Sequence, residues 1–360
     1  MSADLVRLIE LAESFPRQRI LVLADLVADE FVGGEISRVS REAPVLILRH
    51  SDTRLTPGGG ANAANNLVDL GAHVILVGAV GDDAPGRALL DYFRRKAVSV
   101  TGVRVVRGWT TPTKTRYLAG FSHTARQQVL RVDREPNGPL PAAARNHIVR
   151  RARQFASRVG AVLLSDYGFG AVTPGVVRGL RMGAKQQITL DSRYSLLDYG
   201  AVGVTAATPN EPELEAQYHT RIGTDRAALE RLGRKALRQL GLRALLVTRG
   251  KDGMALFEPG RPSEFIPVFG APEAVDVTGA GDTVIAAFTL ALSAGATFLE
   301  AARLANYAGG IVVMKRGTAT VTQSELLGAL RGEITGESSV PQQSAESPAP
   351  SSGRAGRRLR

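Results

Sequence analysis

Short apolar runs that end in polar residues recur along the chain, most of them separated by stretches with helical spacing. Leu5, Leu8, Ile9 and Ala12 share one face, which predicts an amphipathic helix over 5–15. After Arg19, Ile-Leu-Val-Leu-Ala is apolar without alternation, the mark of a strand buried on both faces over 19–24. Asp25 follows, with Asp29 four residues on. Similar strands are predicted at 73–78, 160–166, 188–191, 203–208 and 244–249, with helices over 61–70 and 82–96 and helix-like stretches between the later strands. This alternation predicts an α/β fold with a mostly parallel central sheet covered by helices on both faces.

Two regions break the rhythm, at about 31–57 and 110–133. The first holds an apolar run at 45–48 after a loop carrying Arg38 and Arg41. The second alternates polar and apolar residues over 114–119 and 127–133 around a hairpin loop at 120–126, as in strands exposed on one face. Together they predict a small sheet lying over the main one. It carries Lys114, Arg116, Arg126 and Arg131. Such cations are either a solvated face or, if the sheet is a lid, contacts for an anionic substrate.

Two glycine turns feed helices. Asp-Val-Thr-Gly-Ala-Gly-Asp at 276–282 runs into a segment to 295 that is apolar on nearly every face, so its helix is buried. The first turn of that helix points unpaired N–H groups and a positive dipole end inward, which makes an anion hole of Gly279, Ala280 and Gly281. Asp282 at its mouth is either a helix cap or a reacting group. Pro-Gly-Gly-Gly at 57–60 opens the helix over 61–70, where Asn62 and Asn65 either cap the turn or bond a ligand's hydroxyls. Asp25, Asp166, Asp191, Asn210 with Glu213, and Thr248 with Arg249 fall at or beyond strand ends. Ligands of open parallel sheets bind on that rim, and loop capping is the alternative for Asp25.

Charge and composition narrow the chemistry. The 360 residues include no cysteine and no apolar run long enough to span a bilayer, and the start has no signal-peptide pattern, so a cytoplasmic enzyme is expected. The formal charge of +11 favours anionic ligands. Part of it lies in a Ser-, Pro- and Arg-rich tail over 332–360, expected to be disordered and solubilising rather than a nucleic-acid arm. None of the five histidines forms a His-x-x-x-His pair, which leaves a zinc site unsupported. The P-loop, dinucleotide and Gly-x-Ser-x-Gly fingerprints are absent. An anion hole beside a carboxylate remains, which suits phosphoryl transfer with Asp282 taking the hydroxyl proton.

These residues carry a resemblance. Asp-Val-Thr-Gly-Ala-Gly-Asp at 276–282 resembles the C-terminal signature of the ribokinase-like (PfkB) sugar kinases. Pro-Gly-Gly-Gly-Ala-Asn-Ala-Ala-Asn at 57–65 is similar to their N-terminal glycine motif, and Thr-Pro-Asn-Glu-Pro-Glu at 208–213 to their Asn-x-x-Glu motif. The likeness covers about 19–331, one kinase domain after an N-terminal extension over 1–18. Segments 37–44, 126–133, 164–167 and 246–250 resemble most those of the D-glycero-β-D-manno-heptose 7-phosphate kinases within that family.

The resemblance implies a three-layer sandwich with a lid and transfer of the ATP γ-phosphate to a sugar hydroxyl. It places Asp25, Gly59, Gly60 and Asn62 on the sugar and Asn210 and Glu213 near magnesium (Glu213 through water) and the phosphates. Thr248, Gly250 and Asp276 fall near the nucleotide, Asn306 near adenine. It also implies a homodimer built through the lid, as in many members. A phosphate on the incoming sugar would occupy Arg38, Arg41, Lys114, Arg116 and Arg131. Ala24 stands where the family usually has glycine, and Asp-Ser-Arg-Tyr at 191–194 replaces Asp-Pro-Lys, which opens the choice of sugar: a fructose phosphate and ribose are alternatives, as is a catalytically silent ligand-binding protein. The tail is too short to fold as the nucleotidyltransferase domain that many bifunctional relatives append.

Overall fold

The structure, a computed structural model, describes residues 3–121, 126–180, 186–270 and 273–335. Helix α1 (Ala3–Glu13) precedes β1 (Arg19–Val39), β2 (Leu46–Gly59), α2 (Gly60–Asp69), β3 (His73–Gly81), α3 (Ala84–Arg95) and β4 (Ser99–Val106). Next come β5 (Thr113–Gly120), β6 (Gln127–Arg134), α4 (Ala142–Ala156), β7 (Ala161–Asp166), α5 (Pro174–Arg178), β8 (Gln187–Ser192) and β9 (Ala206–Ala207). The remainder is α6 (Glu211–Tyr218), α7 (Arg226–Leu240), β10 (Ala244–Thr248), β11 (Met254–Phe257), β12 (Glu264–Ile266), α8 (Ala280–Ser293), α9 (Phe298–Val312) and α10 (Gln323–Thr335).

The central sheet has the order β12-β11-β10-β9-β8-β7-β1-β3-β4, parallel from β10 to β4 with an antiparallel edge at β11 and β12. Alternate residues of β1 feed two cores. Ile20, Val22 and Ala24 face one with α2, α8 and α9; Leu21 and Leu23 face the other with α4 and α7. The expected layers of helix, sheet and helix follow from that alternation of faces. Leu8, Leu11 and Phe15 belong to the first core with Phe288 of α8 and Leu330 of α10, so the N-terminal helix packs into the same body.

The first strand departs from the expected 19–24. It runs for 21 residues, through Asp25 and Asp29, because new partners take over where the old ones end. Residues 19–25 pair with β3, while 26–39 pair with β2 and 28–35 with β5. Paired backbone, not side-chain polarity, decides where a strand stops. The small sheet is thus β2-β1-β5-β6, continuous with the main one. Asp25 is consequently inside a strand, not beyond its end.

The second glycine turn is also shifted. Pro57, Gly58 and Gly59 remain in β2 opposite Ala28, Val27 and Leu26, and α2 starts at Gly60. The strand expected at 203–208 shrinks to two residues, and β4, β11 and β12 were not expected. Helix α10 runs to Thr335, past the expected boundary at 331; the rest of the tail and residues 122–125 of the hairpin loop lie outside the described residues. Helix α8 is buried from Asp282 to Leu292, as its apolar faces predict.

Gly60 sets how closely α2 approaches β1. A Cβ there would lie 2.5 Å from the Cβ of Ala24 and 2.8 Å from the carbonyl oxygen of Asp25. A Cβ at Gly281 would meet nothing within 4 Å. Gly60→Ala is expected to cost about 1–3 kcal/mol in urea unfolding, whereas Gly281→Ala should leave the unfolding midpoint close to that of the parent.

Candidate active site

Gly279 begins the site. It takes φ +79° before α8, and a Cβ there would press within 2.6 Å of the Asn62 side-chain nitrogen, so both backbone and space require glycine. The N–H of Ala280 donates to the carbonyl of Val277 at 3.2 Å, which removes it from the expected anion hole. The first helical turn instead leaves Gly281 and Asp282 with N–H groups that have no acceptor within the helix.

Asp282 is buried, and its oxygens meet one donor each. Asn62 Nδ2 donates to Oδ2 at 2.9 Å and the Tyr167 hydroxyl to Oδ1 at 2.9 Å. Burial pushes its carboxyl up to about 7 against the pull of those two hydrogen bonds; Asp29 adds to the rise and Lys114 opposes it. Asn62 is held in turn: Asn66 Nδ2 donates to its backbone oxygen, and Thr283 on α8 donates to Asn66 Oδ1. Two helices, α2 and α8, are thereby locked at the carboxylate.

Two cavities flank this carboxylate. One, of about 290 Å³, has aliphatic walls from Met254, Val268, Val284 and Val313, and reaches Thr248, Gly250, Asn306, Ala280 and Gly281. The other, of about 260 Å³, is polar and lies under the small sheet, lined by Lys114, Arg131, Arg134, Tyr167, Arg193 and Tyr194 among others. Arg131 pairs with Asp133 and Arg134 with Glu30. Lys114 has its ammonium 5.0 Å from the Tyr167 ring centroid, and burial, with repulsion from Arg193 and Arg131, lowers its pKa.

Other expected residues have structural partners. Asp25 accepts the N–H groups of Tyr167, Phe169 and Ala171 at 2.8–2.9 Å, so it holds the loop after β7. Burial and the nearby Asp166 raise its carboxyl to about 7. Asp276 accepts from the N–H groups of Thr278 and Gly317, tying the glycine turn to the chain beyond α9. Asn210 and Glu213 form a reciprocal capping box on α6. Thr248 lies beside Asn210, and the Asn306 side chain donates to the Pro267 carbonyl. Gly59 takes φ +50° where a Cβ would press on Val27 and the Tyr167 ring.

The expected cation set separates. Lys114 and Arg131 line the polar cavity. Arg116 is buried in an ion pair with Asp29 at 2.7 Å. Arg38 and Arg41 are exposed near the far end of the small sheet and line neither cavity.

Some residues escaped the sequence reading of the site. Asp29 shares its strand face with Asp25, a period-two signal that needs the strand to continue beyond Ala24. Its Oδ2 accepts from Thr318 at 2.8 Å. Tyr167 and Arg193 follow two strand-end acids, and only the tertiary fold brings them to the cavity. Asp191 faces Glu213, Asp282 and Asp166; burial and these charges raise its pKa well above the usual carboxylate range, with Arg193 opposing. Burial likewise raises Glu213. Among the described residues, no group of three acidic or histidine side chains is placed to hold a metal directly.

Residues 26–134 and 187–325, which include both glycine turns, match the pfkB family carbohydrate kinases. Proteins named bifunctional protein HldE from Geobacter metallireducens and Desulfatibacillum aliphaticivorans are 41% and 39% identical over 86% and 89% of this chain. The matched spans make up 62% and 64% of those relatives, so the chain covers less than two thirds of their length. Arabidopsis thaliana ribokinase complexed with ribose and ATP aligns with a TM-score of 0.65 at 20% identity, over 87% of this chain and 99% of that one. Escherichia coli phosphofructokinase-2, in complex with substrates and products, gives 0.70 at 17% identity over 87% and 98%. The fold is therefore ribokinase-like, and the chain belongs to the pfkB family of carbohydrate kinases.

Proposed function

We propose that the protein transfers the γ-phosphoryl group of ATP to a sugar hydroxyl, with Asp282 as general base. The observation that carries this reading is the place of Asp282, a buried carboxylate in the first turn of a buried helix, whose neighbour Gly281 lines an aliphatic cavity and whose hydrogen-bond partner Tyr167 lines a cationic one. The sugar hydroxyl gives its proton to Asp282 as its oxygen attacks the γ-phosphorus, and ADP leaves. The free N–H groups of Gly281 and Asp282, with the helix dipole, stabilise charge on the moving phosphoryl group. Thr248, Gly250 and Asn306 would line the nucleotide, and Asp276 holds the turn between nucleotide and base.

Magnesium fits the acidic side of this site. Asp191 and Glu213 face each other, with Arg193 a cation that opposes the rise of both, and a divalent cation held through water by Glu213 would relieve that repulsion. When bound, it would supply charge neutralisation between the phosphates. Asn62, Asp25, Gly59 and Gly60 act on the sugar indirectly in this reading, by placing Asp282 and the loop at Tyr167.

For the sugar itself we favour D-glycero-β-D-manno-heptose 7-phosphate, converted to the 1,7-bisphosphate. Three observations support a phosphorylated sugar: the likeness of the segments at 37–44, 126–133, 164–167 and 246–250, the relatives named HldE, and a cavity in which Lys114 and Arg193 have no carboxylate partner within 4 Å among the described residues. Such a sugar kinase acts in the cytoplasm. No helix among the described residues is long and apolar enough to cross a membrane. The small sheet exposes Val39, Leu46, Val129, Leu130 and Val132, which favours a homodimer through it.

Four measurements test this. Asp282→Asn is expected to reduce ADP release with the best sugar by at least about a hundredfold, and parental turnover would remove Asp282 as base. Because the base must be ionised and burial raises it to about 7, kcat/KM of the parent should fall as the pH drops below 7. Lys114→Ala should raise KM for a phosphorylated sugar about tenfold or more, with little change for its unphosphorylated analogue; an equal effect on both would dismiss the anion role. Leu130→Glu should halve the mass seen by light scattering if the small sheet is the dimer interface, and an unchanged mass would discard that interface.

A further inference from the structure

The reaction assigned above leaves one polar contact of its base unused. Asn62 holds Oδ2 of Asp282, but the donor on Oδ1 is the hydroxyl of Tyr167, at 2.9 Å. That side chain is fixed from three directions. Its backbone N–H donates to Asp25 Oδ2 at 2.9 Å. A Cβ at position 59 would come within 3.2 Å of its ring, so the positive φ and missing side chain of Gly59 make room for it. The Lys114 ammonium lies 5.0 Å from the ring centroid on the side of the polar cavity. Burial and the neighbouring Asp282 and Asp191 raise the phenol well above its ordinary value, so it stays a donor throughout the neutral range.

We propose that Tyr167 is a positioning residue: its hydroxyl orients Oδ1 of Asp282, favours the ionised carboxylate, and leaves the second lone pair of that oxygen for the sugar hydroxyl. The inference rests on Asp282 being the base. A carboxylate oxygen accepts more than one hydrogen bond, so the phenol and the sugar hydroxyl need not compete. Tyr167 also lines the polar cavity while its hydroxyl reaches Asp282, so one side chain connects the two. The charged groups facing Asp282 are Asp29 from β1, Lys114 from β5 and Asp191 from β8, with the positive end of α8 beneath it. Asp29 and Asp191 oppose its ionisation; Lys114, Asn62 and Tyr167 favour it.

Tyr167→Phe tests this because it removes the hydroxyl and keeps the ring that packs on Gly59 and Lys114. The first measurement needs no turnover: the carboxyl stretch of Asp282, identified by its loss in Asp282→Asn, is titrated by infrared difference spectroscopy in parent and variant. The midpoint should move upward in Tyr167→Phe. The second is the pH profile of kcat/KM with the best sugar. Its acid limb should move the same way. At pH values below the limb the rate then drops about tenfold for each pH unit that the midpoint climbs. The loss should fade at high pH, and KM for ATP should stay within about twofold. An unmoved or lowered infrared midpoint overturns the proposal, as does a loss of equal size at every pH. Should no sugar be phosphorylated by the parent, the assigned reaction fails while the infrared titration still judges the Tyr167–Asp282 coupling.

Discussion

A carboxylate buried at the start of a buried helix is the constraint around which this molecule is arranged. Ionising Asp282 away from water is costly, and burial is the largest influence raising its carboxyl to about 7. The sign for folding follows from linkage. Between the ordinary value of 3.8 and about 7, the native state keeps a proton that the unfolded chain has lost, so stability falls as pH rises through that window. Above 7 the cost is fully present, in the range where a base has to be charged. Asn62, Tyr167 and the positive end of α8 offset part of it, and all three come from segments that pack tightly around glycines. The glycines at 59, 60 and 279 permit that packing, since a Cβ at each would press on a neighbouring segment.

The long first strand connects the small sheet to this centre. Because β1 passes unbroken from the main sheet into the small one, Asp25 and Asp29 stand on one face of the same strand and serve opposite sides of the same cleft. Asp25 organises the loop that delivers Tyr167, while Asp29 binds Arg116 from β5 and Thr318 from the segment after α9. The buried Arg116–Asp29 pair is weak evidence for stability, since both charges lose hydration. Its consequence is geometric: β5, which carries Lys114 into the polar cavity, is pinned to the strand that also bears the loop contact.

What is legible in the sequence follows from range. Helix α8 and its glycine turn are local features, and an apolar pattern on every face announces a buried helix whatever surrounds it. The parallel sheet is legible for the same reason. Tyr167 is not, because its partner lies 115 residues away and a tyrosine after a strand-end aspartate has no local peculiarity. The extent of β1 escapes a sequence reading because polar residues end the apolar run while the backbone goes on finding partners. Counting arginines in the small sheet also misleads: Arg38 and Arg41 carry the same charge as Lys114, but the strand bulges between Gly33 and Gly34 before them, and they end up exposed and away from both cavities.

Asn210 and Glu213 show how one local device can meet two demands. Their reciprocal hydrogen bonds satisfy the N-terminus of α6, which explains the spacing on structural grounds alone. Yet an ordinary cap is well solvated, and Glu213 is only partly exposed: burial raises it, and it faces Asp191, itself raised by burial with Glu213, Asp282 and Asp166. A cap would be more stable there without the extra acids. Acids gathered near the start of α8, with Arg193 the cation that offsets them, leave a concentration of negative charge at this site. In the proposed reaction, a divalent cation held by Glu213 through water would offset that charge and would neutralise the phosphates of a nucleotide at the helix start.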